Sequence, residues 1–191
     1  TEAYVAGLHS DFSDPLALKA IQMIFDYLPA SYDGDAAARG KMHVAQCLAG
    51  MAFSNALLGI AHSLAHKVGA QYEIPHGCCN AILLPNVVRY NAKACAARYA
   101  DIARALNLPG TTDEELVAAY VAAVEELNRR LDIAPTFREH GVSEEKFEST
   151  LDFVATQAFG DPCTGSNPRQ TSPEDLKKIL RCCYEGKKVD F

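Results

Sequence analysis

Three of the six histidines, His62, His66 and His76, fall within fifteen residues of the stretch AGMAFSNALLGIAHSLAHKVGAQYEIPHGCCNAILLPNVVRYN, which is otherwise almost wholly apolar or small. An imidazole costs free energy to bury alone, so each must meet a hydrogen-bond partner, a metal or water. Neutral imidazole is a ligand for zinc, iron, copper or nickel, and a catalytic centre takes three or four protein ligands with one position open. A lone histidine on an apolar helix is ordinarily a core residue bonded to a backbone carbonyl. The His62/His66 spacing alone therefore leaves core and ligand readings open, and His76 behind a proline adds weight to the second.

The elements that must position these rings are helical. Gly50 to Val68 is small and apolar on nearly every face, and residues four apart leave one side of a helix, so His62 and His66 point the same way one turn apart. Whether Asn55 to Gly59 interrupts that helix is open from sequence. Pro75 breaks the chain, and His76-Gly77 opens a second helix running to about Tyr90, with Pro85 expected to kink it. Three imidazoles can then converge where one helix face meets the start of the next.

Nearly every other segment has helical periodicity, and none alternates as a strand would. Ser13-Asp14-Pro15 is a start signal with Ser13 as cap, for a helix that Pro29 should end. Asp35 can cap the helix entering the Gly50 region. Lys93 to Leu106 is amphipathic and closed by Pro109-Gly110; Thr112 with Glu115 forms a capping box for the next helix. Pro135 to Gly141 predicts a short turn, Ser143 caps Glu144 to Phe159, Ser172 to Asp175 starts the last helix, and Lys187 onward should fray. The expected fold class is all-α.

At 191 residues the chain suits a single helical domain able to bury its own core. A net charge of −6 without a basic patch argues against nucleic acid. No charge-free run of eighteen apolar residues argues for a membrane span and no secretory h-region opens the chain, so a cytoplasmic location is expected. Seven cysteines, two adjacent pairs and no C-x-x-C spacing predict reduced thiols rather than disulfides or a metal cluster. His9, His43 and His140 lie outside the apolar stretch and are expected to be ordinary.

The string GMAFSNALLGIAHSLAHKVGAQYEIPHGCCNAILLP resembles the signature of the iron-containing alcohol dehydrogenases, GMAF-x-NA-x-LG-x-x-H-x-x-x-H-x-x-G-x(5)-PHG-x-x-NA-x-LLP. The resemblance implies the C-terminal helical metal-binding domain of the dehydroquinate synthase-like fold. It also implies that His62 and His76 are metal ligands, whereas His66 lies beside the nicotinamide as a candidate for proton transfer. That overrides the His62/His66 ligand pair suggested by spacing. The segment TEAYV resembles the tail of the motif D-A-L-x-H-A-x-E-A-Y, which supplies an aspartate and a histidine to the same metal; both would lie before Thr1, as would a dinucleotide-binding domain.

The activity implied by the resemblance is hydride transfer between an alcohol and NAD or NADP, giving an aldehyde or ketone. Iron(II) is the expected ion and zinc the alternative. The implied partners are a small alcohol or aldehyde, the chain's own N-terminal nucleotide-binding domain and further copies in a homo-oligomer, and this chain alone should be inactive. DPCTGSNPRQTSPEDL resembles the closing segment D-x-C-x-x-x-NPR-x-x-x-x-x-D, which would bring Cys163 near the cleft mouth and leave Arg169 a structural role. Its CTGSNPR resembles the version in bifunctional aldehyde-alcohol dehydrogenases. The rival from another class is a helical interaction module with no activity of its own.

Overall fold

Amphipathic helices with no strand to cover must bury their stripes against one another. The computed structural model describes all residues, 1–191, and does this with eight α-helices: α1 (Glu2–Val5), α2 (Ser13–Tyr32), α3 (Ala36–Ala56), α4 (Ile60–Tyr72), α5 (His76–Ala105), α6 (Asp113–Arg130), α7 (Glu144–Phe159) and α8 (Pro173–Glu185), with a 3-10 turn at Pro162–Ser166. Two apolar clusters result. One joins α4 and the first half of α5 to α7 and α8, around Leu64, Leu83, Phe147, Leu151 and Leu176. The other joins α1 and α2 to the second half of α5 and α6, around Ile21, Tyr99, Ile102 and Tyr120. α5 runs through both and joins them, with its first turn and the buried face of α4 held in the first cluster.

α3 lies chiefly along α2, and its buried residues are all alanine: Ala38, Ala45, Ala52 and Ala56. Side chains this small let the two helix backbones come close, and the far face leaves Val44 and Met51 exposed. No single helix is long and apolar enough to cross a membrane; α3 and α4 pass such a test only together, across a bend of 109°.

That bend answers the question left open at Asn55 to Gly59. Leu57 adopts φ 63°, ψ −164°, a conformation ordinarily reserved for glycine, and the chain restarts as α4 at Ile60. Gly59 is needed there for its size: a Cβ on it would lie 2.7 Å from Glu2 Oε1 and 2.9 Å from Asn167 Oδ1.

Several local expectations are met. Asp35 accepts from the Ala37 and Ala38 amides, the capping boxes Thr112/Glu115 and Ser172/Asp175 are formed, and Ser143 caps α7 through the Lys146 amide. Others change. Ser13 sits inside the first turn of α2, exchanging hydrogen bonds with Ser10, and α2 continues past Pro29 to Tyr32. Pro85 does not divide α5; the non-helical residue is Cys95 (φ −143°, ψ 43°). A proline leaves the carbonyl four residues back without its helical donor. Here Asn128 Nδ2, from α6, donates to that carbonyl, Ala81 O, at 2.7 Å.

The expected fraying after Lys187 does not occur. Val189 is buried and its amide donates to Asn86 Oδ1 at 3.1 Å, Lys93 Nζ donates to Asp190 O, and Arg169 donates to Phe191 O. The tail finds partners for its backbone on α5, which sequence composition does not reveal.

Candidate active site

His62 and His66 leave α4 on one side, and His76, the first residue of α5 behind Pro75, meets them. The ring centroids stand 6.2 Å (His62–His66), 5.3 Å (His62–His76) and 5.4 Å (His66–His76) apart. The structure thus brings together all three histidines singled out from sequence. Burial, and then the neighbouring His62 and His66, lower the pKa of His76, which favours the neutral, ligand-competent ring.

Each ring meets a different protein group. His62 Nδ1 lies 2.5 Å from Glu2 Oε2, His66 Nδ1 lies 3.1 Å from Asp161 Oδ2, and His76 Nε2 lies 3.0 Å from Asn80 Nδ2. A carboxylate can only accept, so Nδ1 of His62 carries the proton and its Nε2 is left as the donor toward a metal.

Glu2 was not singled out from sequence. α4 begins at a glycine that offers no side-chain cap, and Glu2 supplies one from the far end of the chain. Its carboxylate accepts from the Ala61 amide at 2.8 Å and the His62 amide at 3.3 Å, in a position only 5% exposed. One buried acid therefore caps α4 and orients the ring that α4 carries. The only sequence signal was the E of TEAYV.

Asp161 is the second unforeseen residue. It is buried at the start of the 3-10 turn, where Oδ1 accepts from the Cys163 amide at 3.1 Å and Oδ2 faces both His66 and Lys67 Nζ, the latter at 3.0 Å. Burial opposes its charge, yet the Cys163 amide, the Lys67 ammonium and His66 together hold its carboxyl at about 2. The turn is fastened to α4 and to the bend before it: Thr164 Oγ1 lies 2.8 Å from Ser63 Oγ, and Ser166 Oγ donates to Leu58 O at 2.7 Å.

Cys163 accordingly lies beside His66 and Asp161, with donor atoms of the three within 4.8 Å of one another. Lys67 already neutralises Asp161, and burial, then the Asp161 charge, push the Cys163 thiol up to about 11, so this trio suits a cation poorly. Cys79 is buried, with its thiol pushed up to about 11, and makes its contact with Ile74 O. Arg169 turns away from the histidines: it stacks 3.9 Å over Tyr90 and donates to Tyr90 O and Phe191 O at 2.9 Å. Its role is structural, through backbone carbonyls and an aromatic face rather than an ion pair.

His62 and His76 are the pair whose chemistry fits a metal. Both offer imidazole nitrogen, suited to iron(II) or zinc. The group touching His76 Nε2 is a neutral amide that a metal can displace, and Asn80 Oδ1 is buried with no partner, so this amide is not settled by its present contacts. Two imidazoles remain fewer than the three or four ligands of a catalytic centre.

Comparison with known proteins gives the chain's family and fold. Residues 1–184 match the sequence profile of the Fe-containing alcohol dehydrogenase family, C-terminal part. The chain is 55% identical over 190 residues to the NADPH-dependent butanol dehydrogenase of Clostridium saccharobutylicum, covering 100% of this chain and 49% of that protein. It is 42% identical to the bifunctional aldehyde-alcohol dehydrogenase of Escherichia coli K12, covering 97% of this chain and 23% of that protein. Among solved structures, a 1,3-propanediol oxidoreductase superposes with a TM-score of 0.90 at 34% identity, over 96% of this chain and 48% of that one. An alcohol dehydrogenase from Oenococcus oeni gives 0.89 at 34% identity, over 96% and 48%. The chain thus spans half or less of each of these relatives. With the family profile matching almost from end to end, and the same fold in relatives of that kind, the chain belongs to the Fe-containing alcohol dehydrogenase family, in its C-terminal part.

Proposed function

We propose that this chain is the metal- and substrate-binding half of an NAD(P)-dependent alcohol dehydrogenase, interconverting an alcohol with its aldehyde or ketone. The observation that carries the reading is the convergence of three imidazoles, two of them held at Nδ1 by buried carboxylates. Nicotinamide use is supported by the name of the butanol dehydrogenase relative. The dinucleotide would be bound by an N-terminal domain outside this single helical domain, and the family motif that TEAYV resembles would contribute an aspartate and a histidine to complete the ligand set.

His62 and His76 would hold the metal, which when bound supplies Lewis acidity toward the substrate oxygen. Glu2 keeps His62 aimed. In the oxidative direction the alcohol carbon gives a hydride to the nicotinamide, and the hydroxyl proton has to leave as well. His66 is placed to take it: its ring lies within 6.2 Å of both other imidazoles by centroid, and its side chain is 39% exposed, so it can pass the proton to water. Ile60, Leu64 and Leu83 are buried in the apolar core that anchors α4 and α5, the helices carrying the three imidazoles.

The test is a pair of substitutions in the intact enzyme, with metal measured by elemental analysis. His76→Ala should lose metal first; His66→Ala should keep metal and lose turnover by about 10²-fold or more, as expected for a positioned proton-transfer group. Full metal and full rate in both variants would refute the assignment. The chain by itself should bind iron(II) or zinc weakly and show no dehydrogenase activity. Stoichiometric metal lost on His76→Ala would reveal further ligands within this chain besides His62 and His76.

A further inference from the structure

We propose that Asp161 is a positioning residue for His66: it fixes the ring with the proton on Nδ1, so that Nε2 faces the His62/His76 cluster as the proton acceptor. This rests on the reading of His66 as the proton-transfer group. A neutral imidazole accepts at one nitrogen only, and which one is set by what the other nitrogen meets. The His66 side chain is 39% exposed, so packing alone does not lock its rotamer or its tautomer. What meets Nδ1 is Asp161 Oδ2 at 3.1 Å, on a side chain only 6% exposed.

Asp161 can orient because it is itself held from three directions. The Cys163 amide donates to Oδ1, the Lys67 ammonium sits on Oδ2 at 3.0 Å, and the turn that carries it is bonded to α4 through Thr164–Ser63 and to the bend before α4 through Ser166–Leu58. Lys67 balances its charge, so the carboxylate accepts a hydrogen bond without taking the proton over. His66 and Lys67 are neighbours on α4, and both reach the same carboxylate oxygen. The closing segment is thereby tied to the proton path by one acid.

The first measurement is the ring ¹⁵N spectrum of His66 in the metal-free chain at alkaline pH. Nδ1–H as the dominant tautomer is expected in the wild-type chain, with a shift toward Nε2–H in Asp161→Ala. Nε2–H in the wild type, or an unchanged Nδ1–H tautomer in Asp161→Ala, would overturn the proposal; if that variant fails to fold, the wild-type spectrum and Asp161→Asn still decide. In the intact holoenzyme, Asp161→Ala should lower kcat by at least about tenfold with metal content and KM held, and should add nothing to His66→Ala, because the two act as a unit. A further tenfold loss in the double variant would mean a separate structural role and sink the idea. The predicted tautomer together with a silent His66→Ala would leave Asp161 as the positioning residue and refute the proton-transfer reading instead.

Discussion

Replacing Glu2 with alanine removes one side chain and three hydrogen bonds at once. The carboxylate caps α4 through the Ala61 and His62 amides and accepts from His62 Nδ1, all in a buried position. Loss of a helix cap costs about 1 kcal/mol, and loss of a hydrogen bond to a charged group about 1.5–3 kcal/mol, so the variant should lose about 3 kcal/mol. For a chain of this size each kcal/mol moves the midpoint by about 2–4 °C, which puts the melting temperature down by about 6–12 °C. Far-UV circular dichroism on the metal-free chain reads this directly, and amide exchange should speed up at Ala61 and His62. Glu2→Gln keeps an acceptor for the amides but not the charge, and should lose about half as much. A shift under about 2 °C in Glu2→Ala, below 1 kcal/mol by the same conversion, would refute the claim that one acid both caps α4 and holds His62.

Three other outcomes are expected from the same geometry. Gly59→Ala drives a Cβ to 2.7 Å from Glu2 Oε1, which is pinned by its own bonds, so the variant should lose about 2 kcal/mol in denaturant unfolding; an unaffected midpoint would show that Glu2 gives way freely. Leu57→Gly relieves a conformation costing about 1–3 kcal/mol in a half-exposed residue, less about 1 kcal/mol for glycine's freedom in the unfolded chain. It should raise stability by about 1 kcal/mol by the same balance, and a loss would show that the Leu57 side chain matters more than its backbone. Asp161 has its folded pKa depressed from 3.8 to about 2, so its contribution is present above 3.8 and lost as pH falls through 2. That contribution is about 2 kcal/mol, so the stability gap between wild type and Asp161→Asn should shrink by roughly half from pH 5 to pH 3; a gap constant with pH would contradict it.

Much of this molecule is legible one residue at a time. Caps at Asp35, Thr112, Ser143 and Ser172 are local chemistry, in which a side-chain oxygen meets an amide two or three residues on, so sequence alone places those helix starts. The four-residue spacing of His62 and His66, with His76 behind Pro75, likewise determined that the three rings could meet, and the family resemblance rested on the same residues. Breaks inside helices were less legible. Pro85 is tolerated because Asn128 satisfies the Ala81 carbonyl that it orphans, and Pro29 lies in the last turn of α2; of the residues that do break the helices, Leu57 sits in a stretch whose continuity sequence left open, and Cys95 is a residue type that marks no break.

Only the tertiary structure decided what holds the histidines. Glu2 is 60 residues from His62 and Asp161 is 95 from His66, and their roles depend on where α1 and the 3-10 turn pack against α4. A carboxylate in a sequence is by default a solvated charge; these two are functional candidates because packing has buried them against an imidazole. The same reasoning covers the tail, where Val189 is ordered by an acceptor on α5. Spacing along one helix fixes which side chains can face a site, and long-range packing fixes which groups they find there.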